Sequence, residues 1–128
     1  MNVLVMPVDD ELYAVPLTTV REVGPKPRTA MLPTAPSGVI GLINVRGEII
    51  PLFDVATLVC DRPTRLQSFA VVVEVAAGPA ALSVSGAPAS EALGERVGDS
   101  DRPAGQGVYR QGDRLATLLD LDLLLARN

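Results

Sequence analysis

The chain has 128 residues, 48% of them hydrophobic but only 3% aromatic, so it is read as one domain, long enough to bury about two-thirds of its unfolded surface in a core of Val, Leu, Ile and Ala. Its 11 Lys and Arg against 15 Asp and Glu leave a formal charge of −4, the wrong sign for holding a phosphate backbone, and the few rings (Tyr13, Phe53, Phe69, Tyr109) are too sparse for base stacking. Histidine is absent and Cys60 is the single cysteine, which excludes imidazole bases, Ser-His-Asp triads, His-bound metals, an internal disulfide and thiolate zinc clusters.

In chain order, "VLVMPV" (3–8) and "LYAVPL" (12–17) are β-leaning apolar runs around the polar turn "DDE" (9–11), which predicts a hairpin. The first basic residue is Arg21, so no charged segment leads an apolar one as in a signal peptide. No apolar run nears the roughly 20 residues of a spanning helix, and a cytoplasmic protein is expected. In "LTTVREV" (17–23), Leu17, Val20 and Arg21 fall at helical spacing before Gly24-Pro25, which predicts one or two helical turns. Pro25, Pro27, Pro33 and Pro36 then predict an ordered irregular loop.

"VIGLINV" (39–45) and "EIIPLF" (48–53) read as strands joined by the two-residue turn Arg46-Gly47. Pro51 cannot donate to a ladder, so the second strand is expected to be at an edge or bulged there. Asp54 is placed to cap a helical turn over 54–59, and "CDRPTRLQ" (60–67) reads as a loop between two halves, with Cys60 a small packing residue. "SFAVVVEVA" (68–76) is the strongest strand, its valines on both faces implying burial on both sides except at Glu74. "AALSVS" (80–85) returns antiparallel, and the stretch from Gly86 to Gly107 predicts a long loop with at most one short element. "VYR" (108–110) and "RLATLL" (114–119) form a closing hairpin, and 120–128 a short helix with Asp120 as cap and Arg127 near its end.

Strands this short, broken by Gly, Pro or Asp, point to small β-barrels or a sandwich with minor helices. Strand, strand, short helix recurs loosely in each half. The acidic clusters Asp9-Asp10-Glu11, Asp99/Asp101 and Asp120/Asp122 lack the spacing of an oxygen-ligand loop and read as turns and caps rather than metal sites.

"LYAVPLTTVREV" (12–23), "LPTAP" (32–36), "GVIGLINVRGEIIPLFDVATLV" (38–59) and "GDRLATLLDLDLLL" (112–125) resemble successive blocks of the CheW-like family, the coupling proteins of bacterial chemosensory arrays. The most specific block holds Gly41, Asn44, Arg46 and Gly47, followed by apolar-apolar-Pro-apolar-apolar-Asp at 49–54. The resemblance spans nearly the whole chain and is strongest over 12–59. It implies a mainly β fold: one CheW-like domain over 1–128, built of two SH3-like five-stranded β-barrels with short helices. The halves fall at about 1–62 and 63–119, with a C-terminal helix at 120–126.

It also implies an adaptor without catalysis, cofactor or metal. The implied partners are the cytoplasmic tip of a methyl-accepting chemoreceptor and the regulatory domain of a chemosensory histidine kinase. By the same resemblance Arg46 lies on the rim of the receptor groove and Glu22 is the matching acid; an Arg fork held by a carboxylate keeps donors for a partner. From the residues alone, Arg46 is a solvated hairpin tip. Asn44 serves either the turn or the partner, Gly41 and Gly47 answer backbone requirements, and Val20 and the Val71–Val73 run, Val72 included, either line the groove or fill a barrel.

The chain departs from the family pattern after "AALSV", where "SVSGAPASEALGERV" replaces a Val-Asp-x-Val strand and loses the apolar alternation. A trimmed or loosely closed second barrel is expected, which puts the usual kinase contact in question. The chain also begins almost at its first strand and stops with its last helix. Alternative readings are a diverged CheW-like module outside receptor arrays and a small ligand-binding β-barrel.

Overall fold

A computed structural model describes residues 1–34 and 36–126. The strands are β1 (Asn2–Val8), β2 (Glu11–Pro16), β3 (Val20–Pro25), β4 (Ala30–Met31), β5 (Val39–Val45), β6 (Glu48–Asp54), β7 (Phe69–Val75), β8 (Gly78–Val84), β9 (Ala89–Ala92), β10 (Arg96–Gly98), β11 (Gly105–Gln111) and β12 (Arg114–Leu119). Two short helices, α1 (Val55–Cys60) and α2 (Leu121–Leu124), complete the fold.

The strands form two six-stranded sheets, in the orders β10-β11-β12-β2-β1-β9 and β3-β7-β8-β6-β5-β4. Each is two three-stranded antiparallel units joined by one central parallel pair, β12 with β2 in the first sheet and β6 with β8 in the second. The mainly β class agrees with the sequence, but each sheet has six strands rather than five. Among the described residues no backbone ladder closes either sheet into a barrel.

Strand pairing does not follow the division at residue 62. β1-β2-β3-β4-β5-β6-α1 and β7-β8-β9-β10-β11-β12-α2 have the same plan, yet the leading hairpin of each run pairs with the remaining strands of the other. Thus β1-β2 sits beside β9 and β12, and β7-β8 beside β3 and β6.

Three apolar clusters follow from the alternation of side chains along the strands. The largest lies between the sheets and takes Leu4, Met6, Tyr13 and Val15 from the first, Phe53, Val71, Val73 and Leu82 from the second, and Val55, Val59, Leu121 and Leu124 from the helices. Each sheet also curls around a small core of its own: Val3, Val5, Ala14, Ala116 and Leu118 in the first, and Ile43, Ile50, Leu52, Ala70, Val72 and Ala81 in the second. β7 therefore serves two cores with alternate residues and exposes only Glu74 among its central positions, as its run of valines predicts.

Several local expectations change. Residues 17–23 hold a single 3-10 turn, Leu17–Thr19, followed by β3 rather than by helix. The proline-rich loop carries the two-residue strand β4 against β5. β6 is an interior strand, but its ladder to β8 begins at Leu52, so Pro51 stands just before the second neighbour joins and its missing N–H costs no bond there. The stretch 86–107 forms two strands, β9 and β10, not a long loop, and the buried amide of Gln111 ties it down: its Nε2 donates to Glu91 Oε1 (2.8 Å) and Ala92 O (3.1 Å), and its Oε1 accepts from Gly94 N (2.5 Å).

Both helices start at the aspartate the sequence assigns. Asp120 Oδ1 accepts from Leu123 N at 3.2 Å, an ordinary cap. Asp54 is buried and works differently: it accepts from Thr57 Oγ1 (2.8 Å), Thr64 N (2.9 Å) and the Thr64 hydroxyl, stapling the 60–67 loop to the start of α1. The expected end of the last helix at Arg127 lies outside the described residues.

Candidate functional site

The Arg46-Gly47 turn has positive φ at both central residues (53° and 84°), the twist that a two-residue hairpin needs. Asn44 Oδ1 accepts from Gly47 N at 2.8 Å, so the tip is a bonded unit, and this assigns Asn44 its turn role. Arg46 is consequently carried outward, its side chain 79% exposed.

Among the described residues the edge strand β3 pairs only with β7, and its register slips: Val20 faces Val73 and Glu22 faces Val72, leaving Arg21 as the extra residue of a β-bulge. Because the second sheet curls, β3 comes round to the β5-β6 turn although no ladder joins them. Side chains bridge that seam. Glu22 Oε1 accepts from Arg46 Nε at 3.1 Å, and Arg21 reaches Glu48 at 3.1 Å and Glu74 at 3.5 Å.

Along the seam runs a groove of about 280 Å³. Its walls are Glu22, Gly24, Pro25 and Pro27 on one side and Ile43 to Arg46 on the other, and Ala70 and Val72 of β7 form its floor. The result is an apolar trough with one opposed charge pair on its rim. Past Ile43 and Asn44 the surface continues as an apolar shelf over Leu42 and Ile49, the latter 59% exposed, with Arg28 at its border.

Of the residues the sequence selects, Glu22, Asn44, Arg46 and Val72 meet at this groove. Val72 is buried in the second sheet's small core and also forms part of the groove floor. Val20 does not line the groove and packs against the core between the sheets. Gly41 stands where a Cβ would lie 2.2 Å from the Ala30 carbonyl oxygen, so it is required by the close approach of β4, and Gly47 is required by the turn. Arg21, Gly24, Pro25, Pro27 and Ala70 were not anticipated. The signal available for Arg21 was its opposite charge beside Glu22 within an apolar stretch, which a helical reading of 17–23 disperses.

A second polar cluster lies away from the groove. Glu11 Oε1 accepts from the buried Tyr13 hydroxyl (2.5 Å), Cys60 Sγ is 3.5 Å from the same oxygen, and Arg102 pairs with the other carboxylate oxygen. Burial pushes the Glu11 carboxyl up, but the hydrogen bonds from Tyr13, Arg102 and Cys60 and the Arg102 charge outweigh it and leave the pKa below 4.5. Burial, with the Glu11 carboxylate and Cys60 beside it, holds the Tyr13 hydroxyl far above its ordinary range. The cluster ties β2, α1 and the loop before β11 together.

Several of the other acids hold backbone N–H groups or pair with arginines. Asp9 accepts from Arg65 N (3.1 Å), Asp10 pairs with Arg65 (3.0 Å), Asp122 accepts from Ala76 N (2.8 Å), and Asp99 pairs with Arg96 (2.8 Å). Among the described residues no three His, Cys, Asp or Glu gather as a metal would need, and no helix is long and apolar enough to cross a membrane.

Comparison with known proteins follows the same line. A CheW-like domain model matches residues 2–128. The fold superposes on the crystal structure of the scaffolding protein TtCheW from Thermoanaerobacter tengcongensis with a TM-score of 0.84 and 23% sequence identity, covering 99% of this chain and 88% of that one. No curated protein matches significantly. With the family model matching essentially the full length, the chain belongs to the CheW-like domain family.

Proposed function

We propose that this protein is a cytoplasmic, non-catalytic adaptor that couples chemoreceptors to a chemosensory histidine kinase, and that the groove rimmed by Glu22 and Arg46 receives the cytoplasmic tip of a methyl-accepting chemoreceptor. Family membership over the whole chain supports the adaptor role. The observation that carries the site is the convergence of Glu22, Asn44, Arg46 and Val72 on one apolar trough. The exposed Glu22–Arg46 pair contributes only about 0–1 kcal/mol to stability. Its value lies in orienting an Arg fork that keeps donors free for a partner and in selecting that partner by charge. The kinase regulatory domain binds elsewhere on the molecule.

Calorimetric titration against receptor-tip fragments and kinase regulatory domains of the same genome tests this, with each titration repeated on Arg46→Glu. The expected result is loss of about tenfold or more in tip affinity with kinase binding retained, and partial recovery in the Glu22→Arg/Arg46→Glu double variant. Silence of the unaltered protein toward every receptor and kinase would overturn the coupling role. Equal loss toward both partners would overturn the placement of the site.

A further inference from the structure

The groove-rim pair does not stand alone. Successive residues of a regular strand point to opposite faces of a sheet, yet Arg21 and Glu22 both reach across the same seam to the β5-β6 turn. The bulge permits this: with Arg21 as the extra residue in the pairing with β7, two consecutive side chains are turned toward one neighbour.

We propose that Arg21 is the positioning residue of the groove. Its guanidinium forks between Glu74 on β7, the strand that forms the groove floor, and Glu48, the first residue after the Arg46-Gly47 turn. The hydrogen bond between Asn44 and Gly47 makes that turn a unit, so holding Glu48 also holds Arg46. Glu22, next to Arg21 in β3, then meets Arg46 Nε.

The planar fork of arginine addresses two carboxylates at once, which the single point charge of lysine does not. All three members of the bridge are partly exposed, with side chains 33%, 47% and 55% accessible for Arg21, Glu48 and Glu74. Such pairs stabilise a fold little and are weakened by salt. What Arg21 sets is where the far wall of the groove stands, and that setting is adjustable by ionic strength.

The functional consequence rests on the groove being a partner site, but the positioning is read on the free protein. In protein labelled with 15N-arginine, the Arg46 Nε–H resonance reports its bond to Glu22. The readout is compared in Arg21→Gln, Arg21→Lys and, as control, Arg96→Gln, which breaks the remote pair with Asp99. In Arg21→Gln the protected Arg46 signal is lost while Tm stays within about 2 °C of the unaltered protein. Arg21→Lys restores the signal in part, and Arg96→Gln leaves it intact.

An Arg46 signal unchanged in Arg21→Gln would overturn the proposal, as would equal loss in Arg96→Gln. Should Arg21→Gln fail to fold, Glu48→Gln breaks the same bridge from the opposite side and carries the same two outcomes. Loss of the Arg46 signal in a protein that never binds a receptor tip would retain Arg21 as a positioning residue and sink only the partner reading.

Discussion

The two sheets share a plan and differ in how each holds its open side. In the first, the gap between β9 and the end of β11 is filled by the buried, neutral amide of Gln111, which bonds the backbone at Ala92 and Gly94. In the second, the gap between β3 and the end of β5 is bridged by exposed ions, Glu22 with Arg46 and Arg21 with Glu48. A buried amide fixes one geometry because its own polar atoms, left unpaired, would cost their desolvation. Exposed ion pairs cost little to open. One seam is held by a buried amide and the other by ion pairs that open at little cost.

The comparison can be broken first at the helix starts, which occupy equivalent places after β6 and β12. Asp54→Ala removes a buried acceptor of three hydrogen bonds and is expected to cost about 3 kcal/mol. Asp120→Ala removes one ordinary cap and is expected to cost about 1 kcal/mol. Urea unfolding of the two variants gives both numbers; equal losses would remove the distinction between staple and cap.

Gln111→Ala, which leaves Gly94 N and Ala92 O without their side-chain partner, is expected to cost about 2 kcal/mol. Hydrogen exchange should show that loss concentrated in β9 and β11 rather than in the second sheet. The smallest effect concerns Glu11 in β2. Its folded-state pKa is lowered, so its contribution is present above the unfolded carboxylate value near 4.5 and fades as pH falls through the folded value. Between pH 5 and pH 3 the unaltered protein should lose more stability than Glu11→Gln does, as read from unfolding midpoints at each pH.

What the sequence revealed depended on how local the controlling physics was. The β5-β6 hairpin was legible because a two-residue turn ending in Gly stood between apolar runs, and both helix starts were legible because an aspartate preceded each. β3 was not, since its bulge breaks the period of two and leaves Leu17, Val20 and Arg21 at helical spacing. β9 and β10 were invisible because their residues are almost all exposed and so carry no alternation. Glu22 and Arg46 were found through family resemblance, as nothing in their spacing reveals that a curled sheet brings residues 24 apart into contact. Arg21 needed the bulge to be seen first.

The exchange of hairpins between the two halves also sets an order of events during synthesis. The second sheet uses residues 20 to 84 and has all its strands once β8 is made, so the groove can form early. The first sheet joins the opening hairpin to strands that end at Leu119: β1 gains β9 first, and the edge of β2 stays free until β12 is made. For this chain, every strand that walls the groove is made before the first sheet has all of its own.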